Sequence, residues 1–362
     1  MDYKVKDNIL SSVYSDVLEL AGAEFVDWDL LKNQTVLITG ANGFISSHIV
    51  LSMLLRNDLY GDGIKVIALV RNRDRAEEKF GALLLRDDLE LCVQDVSDPI
   101  GADRADYVIH AASQASNIQF ETDPVGTISA NLTGTARALD FARRSNAKST
   151  LVVSSLKVYG QVYGSKGFLS EEDEGYLDFT SYRNCYAMGK RASETLAASY
   201  IKEYGMNVKL CRPAYIYGAS SLDDDRVWAQ FIANVVKRED ILLKSNGAAN
   251  RSFCYVTDTA AAMLCVLLRG ENGFPYNIAY EKSDTTIRGF ARAACEAFPD
   301  RKIDLRFQNP DDEREPETIK TPLSAEPEIL DSTRLKKLGW VPRIDLNEGI
   351  KRAVKVLEER YR

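Results

Sequence analysis

The chain has 362 residues, 45% hydrophobic and 27% charged, and a formal net charge of -7 that works against nucleic acid as the main partner. No apolar run approaches the roughly 18 residues of a membrane span, and the start MDYKVKDN alternates charges without the apolar stretch of a secretory signal, so a cytoplasmic protein acting without membrane is expected. His48 and His110 are the only histidines, which disfavours a zinc site or a Ser-His-Asp triad, and the six cysteines carry no CxxC pair and read as reduced thiols.

Residues 1–34 place Ile9, Leu10, Val13, Val17, Leu18 and Leu20 at helical spacing, followed by Phe25, Val26 and Trp28: a helical extension packed on the main domain. At Thr35 the pattern changes. Val36-Leu37-Ile38-Thr39 reads as a strand, Gly40-Ala41-Asn42-Gly43-Phe44-Ile45-Ser46 as a tight turn, and a helical pattern runs on through Leu55. Gly40 lets the chain turn, Gly43 lets backbone N–H groups approach a pyrophosphate, and the helix N-terminus adds positive partial charge. Ser46 stands where the third glycine of this fingerprint is usual, which loosens helix–strand packing and leaves the phosphate cradle intact.

The next strand, 65–70, ends in Arg71-Asn72-Arg73, where an NAD-binding unit usually puts an acid on the adenosine ribose. Arg71 suits a 2′-phosphate or the adenine face, so NADP stays open beside NAD. A helix to about Leu85 leads to strands at 89–93, with Asp95 and Val96 behind, and at 107–112, ending in Ala111, Ala112 and Ser113. Strands alternating with helices imply an α/β fold with a doubly wound parallel sheet, and ligands at the strands' C-terminal ends. A helix over 126–145 carries Asn131, and a strand over 150–153 delivers Ser154-Ser155-Leu156-Lys157-Val158-Tyr159-Gly160. Tyr186 and Lys190 lie four apart on a further helix and share a face. A phenol titrates near pH 10 unless a cation favours its anion, so the pair makes a possible base near neutral pH.

In this order, TG-ANG-FIS, HAAS, Asn131, SSLKVYG, the YAMGK pair, Arg212-Pro213, Arg251-Ser252-Phe253 and Tyr255-Val256-Thr257-Asp258 resemble an extended short-chain dehydrogenase/reductase. More narrowly they resemble the NAD-dependent epimerase/dehydratase family that acts on nucleotide sugars, over about residues 35–350. The resemblance implies a Rossmann domain over 35–212 and a smaller substrate-binding lobe over 213–362, with segments near 251–280 returning to the first domain. It implies that Ser155 holds the sugar's C4 hydroxyl, Tyr186 removes its proton, and Lys190 orients the nicotinamide ribose and depresses the Tyr186 pKa. It assigns the cofactor to Gly40, Asn42, Gly43, Phe44, Ile45, Arg71, Asp95, Val96, Ala111, Ala112, Ser113, Asn131, Val153, Tyr186, Lys190, Arg212 and Pro213. The nucleotide-diphosphate sugar falls to Ser116, Arg183, Tyr215 and Arg251, the last on the diphosphate. It also implies a homodimer through the helices at 126–145 and 185–204, whose apolar stripes include Leu132, Leu139, Leu196 and Ile201.

The two positions after Ser155 separate the branches of the family. They carry Asp-Glu in dTDP-glucose 4,6-dehydratases, Ser-Glu in UDP-glucuronate decarboxylases and small residues in UDP-galactose 4-epimerases; this chain has Leu156-Lys157. Leu156 has no proton to give, which disfavours dehydration. GDP-mannose 3,5-epimerases place an acid/base cysteine at the position of Lys157, so that lysine is a candidate to move protons beside the keto group or to bind a sugar carboxylate; proton transfer needs burial to lower its pKa. Arg183-Asn184-Cys185-Tyr186 is similar to the UDP-glucuronate decarboxylase branch, and Cys185 reads as a packed thiol. Epimerisation through a transient 4-keto sugar ranks first, decarboxylation close behind, 4,6-dehydration third. A reading from another class, an NAD(P)-sensing binding protein without chemistry, would show erosion of Ser155, Tyr186 or Lys190, and none is eroded. The loop 160–183 is long enough to cover a sugar, the polar run 309–327 reads as a loop bordering the substrate lobe, and Asp331 or Ser332 caps a helix that stops at Gly339.

Overall fold

The computed structural model describes residues 3–164, 167–313 and 328–362. Strands β1 (Thr35–Thr39), β2 (Lys65–Val70), β3 (Leu89–Val93), β4 (Tyr107–His110), β5 (Ser149–Val153) and β6 (Val208–Pro213) join the strand Pro275–Ile278 in one seven-stranded parallel sheet. The order is Pro275–Ile278, β6, β5, β4, β1, β2, β3, so the winding direction reverses at β1. A crevice opens where the two windings part, at the C-terminal ends of β1 and β4.

These strands read as continuous apolar runs because both faces are buried. Val36 and Ile38 pack to one side, with α3 (Ser46–Tyr60) and the helix Val256–Arg269; Leu37 packs to the other, with Ala138 and Phe141 of the helix Pro124–Ser145. The chain thus makes a Rossmann-type doubly wound α/β layer structure, with α1 (Val5–Asn8) and α2 (Ser11–Ala21) ahead of it. The N-terminal helices pack on the domain, as the spacing implies. Tyr255 donates to the Asp16 carboxylate at 2.7 Å, and Arg352 reaches Asp16 and Glu19, both at 2.9 Å.

The helical pattern after Arg71 divides: α4 (Arg73–Phe80) stops at Gly81, which adopts φ +49°, and Gly81–Leu85 continues as a 3-10 turn. Then come α5 (Asn117–Thr122), α6 (Pro124–Ser145) and α7 (Cys185–Tyr204). α6 and α7 approach closely, since a Cβ on Gly189 would lie 2.9 Å from the Asn131 Cβ. Leu139 is fully buried with Ala197 and Val208, whereas Leu132 is 41% exposed, so one expected stripe residue belongs to the core and the other to the surface. The loop 160–183 is tied down by bridges Gln161 to Tyr176 and Leu169 to Leu330, and Asn277 N–H donates to the Glu171 carboxylate at 2.9 Å. Of the polar run 309–327, Pro310–Glu313 forms a 3-10 turn and residues 314–327 lie outside the described residues. The helix Thr333–Lys337 follows, and Gly339 past its end takes φ +97°. No helix among the described residues is long and apolar enough to cross a membrane.

Gly40 is where the backbone demands glycine. It has φ +65°, and a Cβ there would meet Ala112 Cα at 2.9 Å. Gly40→Ala is expected to cost about 1–3 kcal/mol in urea unfolding, because strain and contact both fall on backbone; an unchanged midpoint would contradict this.

Candidate active site

The site begins where β1 stops. Thr39 Oγ1 accepts from Ala111 N–H at 3.2 Å and Ala112 N–H at 3.1 Å and meets His110 Nδ1 at 2.9 Å, locking β1 to β4 beside the crevice. Burial holds His110 neutral, its pKa brought down to about 3, and burial likewise brings His48, hydrogen-bonded to the Phe44 carbonyl at 2.9 Å, down to about 4. Among the described residues no cluster of His, Cys, Asp and Glu is arranged to hold a metal.

A groove of about 550 Å³ runs from this turn to the end of β5. It gathers many of the residues singled out in the sequence: Gly40, Gly43, Phe44, Ile45, Ala111, Ser113, Val153, Ser155, Lys157, Tyr186, Lys190, Pro213, Tyr215 and Arg251. Asn42 lines a neighbouring cavity with Gly43 and Phe44. The remaining candidates stand behind or beside the groove. Ala112 packs under Gly40; Asn131 is buried and accepts from Ser113 Oγ at 2.9 Å; Val96 is buried against the Gly134 position. The Asp95 carboxylate accepts from Ser97 N–H at 2.8 Å, and Arg71 is exposed past the end of β2. Ser116 Oγ donates to Asp225 at 3.2 Å, and Arg183, ion-paired with Glu121 at 3.4 Å, borders a second cavity of about 430 Å³.

Arg212 requires a correction. Its guanidinium grips Glu194 through Nε at 2.9 Å and Nη2 at 2.7 Å and donates to the Tyr159 hydroxyl and the Glu171 carbonyl, each at 3.0 Å. It therefore clamps α7 and the loop 160–183 to β6 rather than facing a cofactor.

The groove fits a dinucleotide on its own evidence. Gly40 and Gly43 bring bare backbone to the N-terminus of α3, and Ser154 lines the groove with its hydroxyl buried and without a hydrogen-bond partner among the described residues, as a donor awaiting a ligand would be. The sequence reading passed over Ser154. It also passed over the aromatic end of the groove, where Phe44 stacks on Trp228 with centroids 5.8 Å apart and Arg226 lies over both rings at 5.1 and 4.6 Å.

Ser155 caps the 3-10 turn Leu156–Tyr159 at the end of β5, its Oγ accepting Lys157 N–H at 3.2 Å. Tyr186, in the first turn of α7, is half-buried, with its hydroxyl against Ser155. Burial raises the phenol's pKa above its ordinary value, and contact with the Ser155 hydroxyl and the charge of Lys157 pull against that rise without cancelling it. Lys190 stands along the same face of α7, close enough for its charge to act on this ring. Lys190 Nζ donates to the Val153 carbonyl at 2.7 Å, 5.7 Å from the Tyr186 ring centroid, and burial lowers its pKa to about 8. Phe120 of α5 covers the other side of Tyr186, stacked at 4.9 Å and 22°.

Lys157 faces the groove and is ion-paired. Its Nζ donates to the Tyr215 hydroxyl and to Glu328, each at 2.9 Å, and the same carboxylate takes Arg251 at 3.0 Å. Burial alone would lower the ammonium's pKa, but the Tyr215 oxygen and the Glu328 carboxylate outweigh it and hold the pKa above the usual lysine value. A lysine so paired is a fixed charge; the lowered pKa needed for proton transfer is absent. Glu328 escaped notice in the sequence because its place beside Lys157 comes from a long-range bridge to Arg251. Cys185 is buried, and burial pushes its thiol pKa up, as for a packed thiol.

The sequence model of the NAD dependent epimerase/dehydratase family matches residues 36–279. UDP-glucuronic acid decarboxylase 6 of Arabidopsis thaliana is 30% identical over 333 residues, covering 91% of this chain and 90% of that protein. The crystal structure of a UDP-glucose 4-epimerase from Thermotoga maritima with UDP-glucose superposes with a TM-score of 0.73 at 24% identity, covering 91% of this chain and 100% of that one. A UDP-glucuronic acid 4-epimerase from Bacillus cereus, in complex with NAD, does so with a TM-score of 0.70 at 18% identity, covering 91% and 100%. At these identities the two structures speak for the fold. With the family model spanning well over half of its length, the chain belongs to the NAD dependent epimerase/dehydratase family of enzymes.

Proposed function

We propose that this enzyme oxidises C4 of a nucleotide-diphosphate sugar and reduces it again in the same site, with epimerisation as the net outcome. The observation that carries the reading is the Tyr186 phenol set against the Ser155 hydroxyl, in one groove with Lys190 and the glycine cradle. When bound, the nicotinamide accepts hydride from C4 and later gives it back. Ser155 hydrogen-bonds the C4 hydroxyl while Tyr186 takes its proton, which leaves a 4-keto sugar. Hydride returned to the opposite face of the C4 carbonyl inverts that centre, and Tyr186 gives its proton back to the C4 oxygen. Lys190, buried beside Val153, is the group we assign to the nicotinamide ribose. NAD is the cofactor we take as native, and Arg71 the residue that would decide between NAD and NADP.

Leu156 offers no proton at the position next to Ser155, so expulsion of a C6 hydroxyl lacks its acid. Decarboxylation is the second reading and is supported at least as well, by the 30% identical Arabidopsis relative. A 4-keto uronic acid is a β-keto acid: the electron pair of the C5–C6 bond can enter the C4 carbonyl as carbon dioxide leaves, and C5 then takes a proton. We assign residues 213–362, apart from the returning segments at 251–280, to the substrate lobe. We also propose a homodimer across α6 and α7, supported by Val125, Ile128 and Leu132, exposed at spacings of three and four residues along α6.

Purified protein incubated with UDP-, dTDP-, GDP- and CDP-sugars and followed by NMR is expected to interconvert C4 epimers of one of them. Tyr186→Phe should lower that turnover at least roughly 100-fold; released carbon dioxide would move the assignment to decarboxylation. Leu132→Asp is expected to halve the mass measured by light scattering, and an unaltered mass would remove α6 from the subunit contact.

A further inference from the structure

We propose that Lys157 is a second cation serving the base, a positioning residue whose ammonium, fixed by Glu328 and Tyr215, stabilises the deprotonated phenol of Tyr186. The proposal rests on the C4 oxidation proposed above and adds the charge that lets the phenol act.

Three observations lead here. First, Lys190 is held on the Val153 carbonyl at 2.7 Å with its Nζ 5.7 Å from the Tyr186 ring centroid, so the phenol already has one cation and room for another. Second, Lys157 sits on the same short turn as Ser155, the hydroxyl that meets the phenol. Its N–H donates to Ser155 Oγ at 3.2 Å, and Lys157 and Tyr186 both line the main groove of about 550 Å³ and the second cavity of about 430 Å³, with Leu156 and Phe120. The two side chains therefore border the same two cavities. Third, the ammonium is anchored. Ordering a lysine side chain costs up to about 2 kcal/mol, and here two oxygens at 2.9 Å, Tyr215 Oη and a Glu328 carboxylate oxygen, define its position. Against burial, Lys157 and then Arg251, at 3.0 Å from the same carboxylate, hold the Glu328 pKa below its usual value, so the cluster carries two cations to one anion.

The other charged groups around Tyr186 are Lys190 on its own helix, Arg183 just before that helix, Asp178 in the loop 160–183 and Glu121 on α5. Arg183 is paired with Glu121 at 3.4 Å and so does not replace Lys157, and Asp178, which accepts Thr180 N–H at 2.9 Å, carries the opposite charge. The phenol's own balance agrees: burial disfavours the anion, while Ser155 and Lys157 favour it.

The test is the pH profile of kcat/KM for the full-length enzyme on whichever nucleotide sugar it turns over, comparing wild type with Lys157→Met, Lys157→Arg and Tyr186→Phe. Activity that needs the phenolate rises with pH through the phenol's pKa, and removing a neighbouring cation raises that pKa. The rising limb of Lys157→Met should move to higher pH by roughly one unit or more, with wild-type rates approached at the alkaline end, while Lys157→Arg keeps the limb in place. A Lys157→Met profile lowered uniformly without a shift would overturn the proposal and make Lys157 a substrate or packing contact. So would an equal shift in Lys157→Arg. Lys157→Gln gives the same comparison should Lys157→Met melt early by circular dichroism. Wild-type turnover by Tyr186→Phe would instead sink the C4 oxidation itself.

Discussion

Burial of the Tyr186 phenol is the constraint on which the rest of the site depends. A proton acceptor must be shielded from water to act on one sugar hydroxyl, yet shielding disfavours the anion it must become. Here burial dominates and the phenol's pKa lies above its ordinary value, with the Ser155 hydroxyl and Lys157 working in the opposite direction. The sheet explains how these groups meet. Ser155 leaves β5 as the cap of a 3-10 turn, Lys157 follows within it, and α7 returns Tyr186 to the same strand end.

The same economy of position shapes the other end of the groove. β1 and β4 are joined through Thr39 Oγ1, which accepts Ala111 and Ala112 N–H groups and so fixes the backbone against which Gly40 turns. Because Gly40 stands within contact of Ala112, cradle and strand end are one rigid unit. Arg212 serves that rigidity too, since its ties to Glu194, Tyr159 and Glu171 hold the helix of the base to the sheet.

Features set by local pattern could be read from the sequence. Apolar runs gave every strand from Thr35 to Val153 within a residue or two, because both sheet faces are buried and the glycines and polar turns mark the ends. Ser155, Tyr186 and Lys190 could be recognised from motif order, and the groove brings them together. What depends on side-chain direction could not. Arg212 lies in β6 within a familiar string, but its partner Glu194 appears only once α7 is packed. Lys157 could be read as a mobile proton carrier because Glu328, far along the chain, supplies the charge that fixes it. Leu132 and Leu139 share a helix and a residue type and separate into surface and core only when α7 covers one of them.

The central claim, that hydride leaves C4 and returns to C4 within one site beside Tyr186, is tested most directly by isotope. A nucleotide sugar substrate carrying deuterium at C4 should yield product that keeps the label at C4, with no added cofactor and in unlabelled water. Loss of that deuterium to solvent, or product formed only with stoichiometric added dinucleotide, would contradict the account.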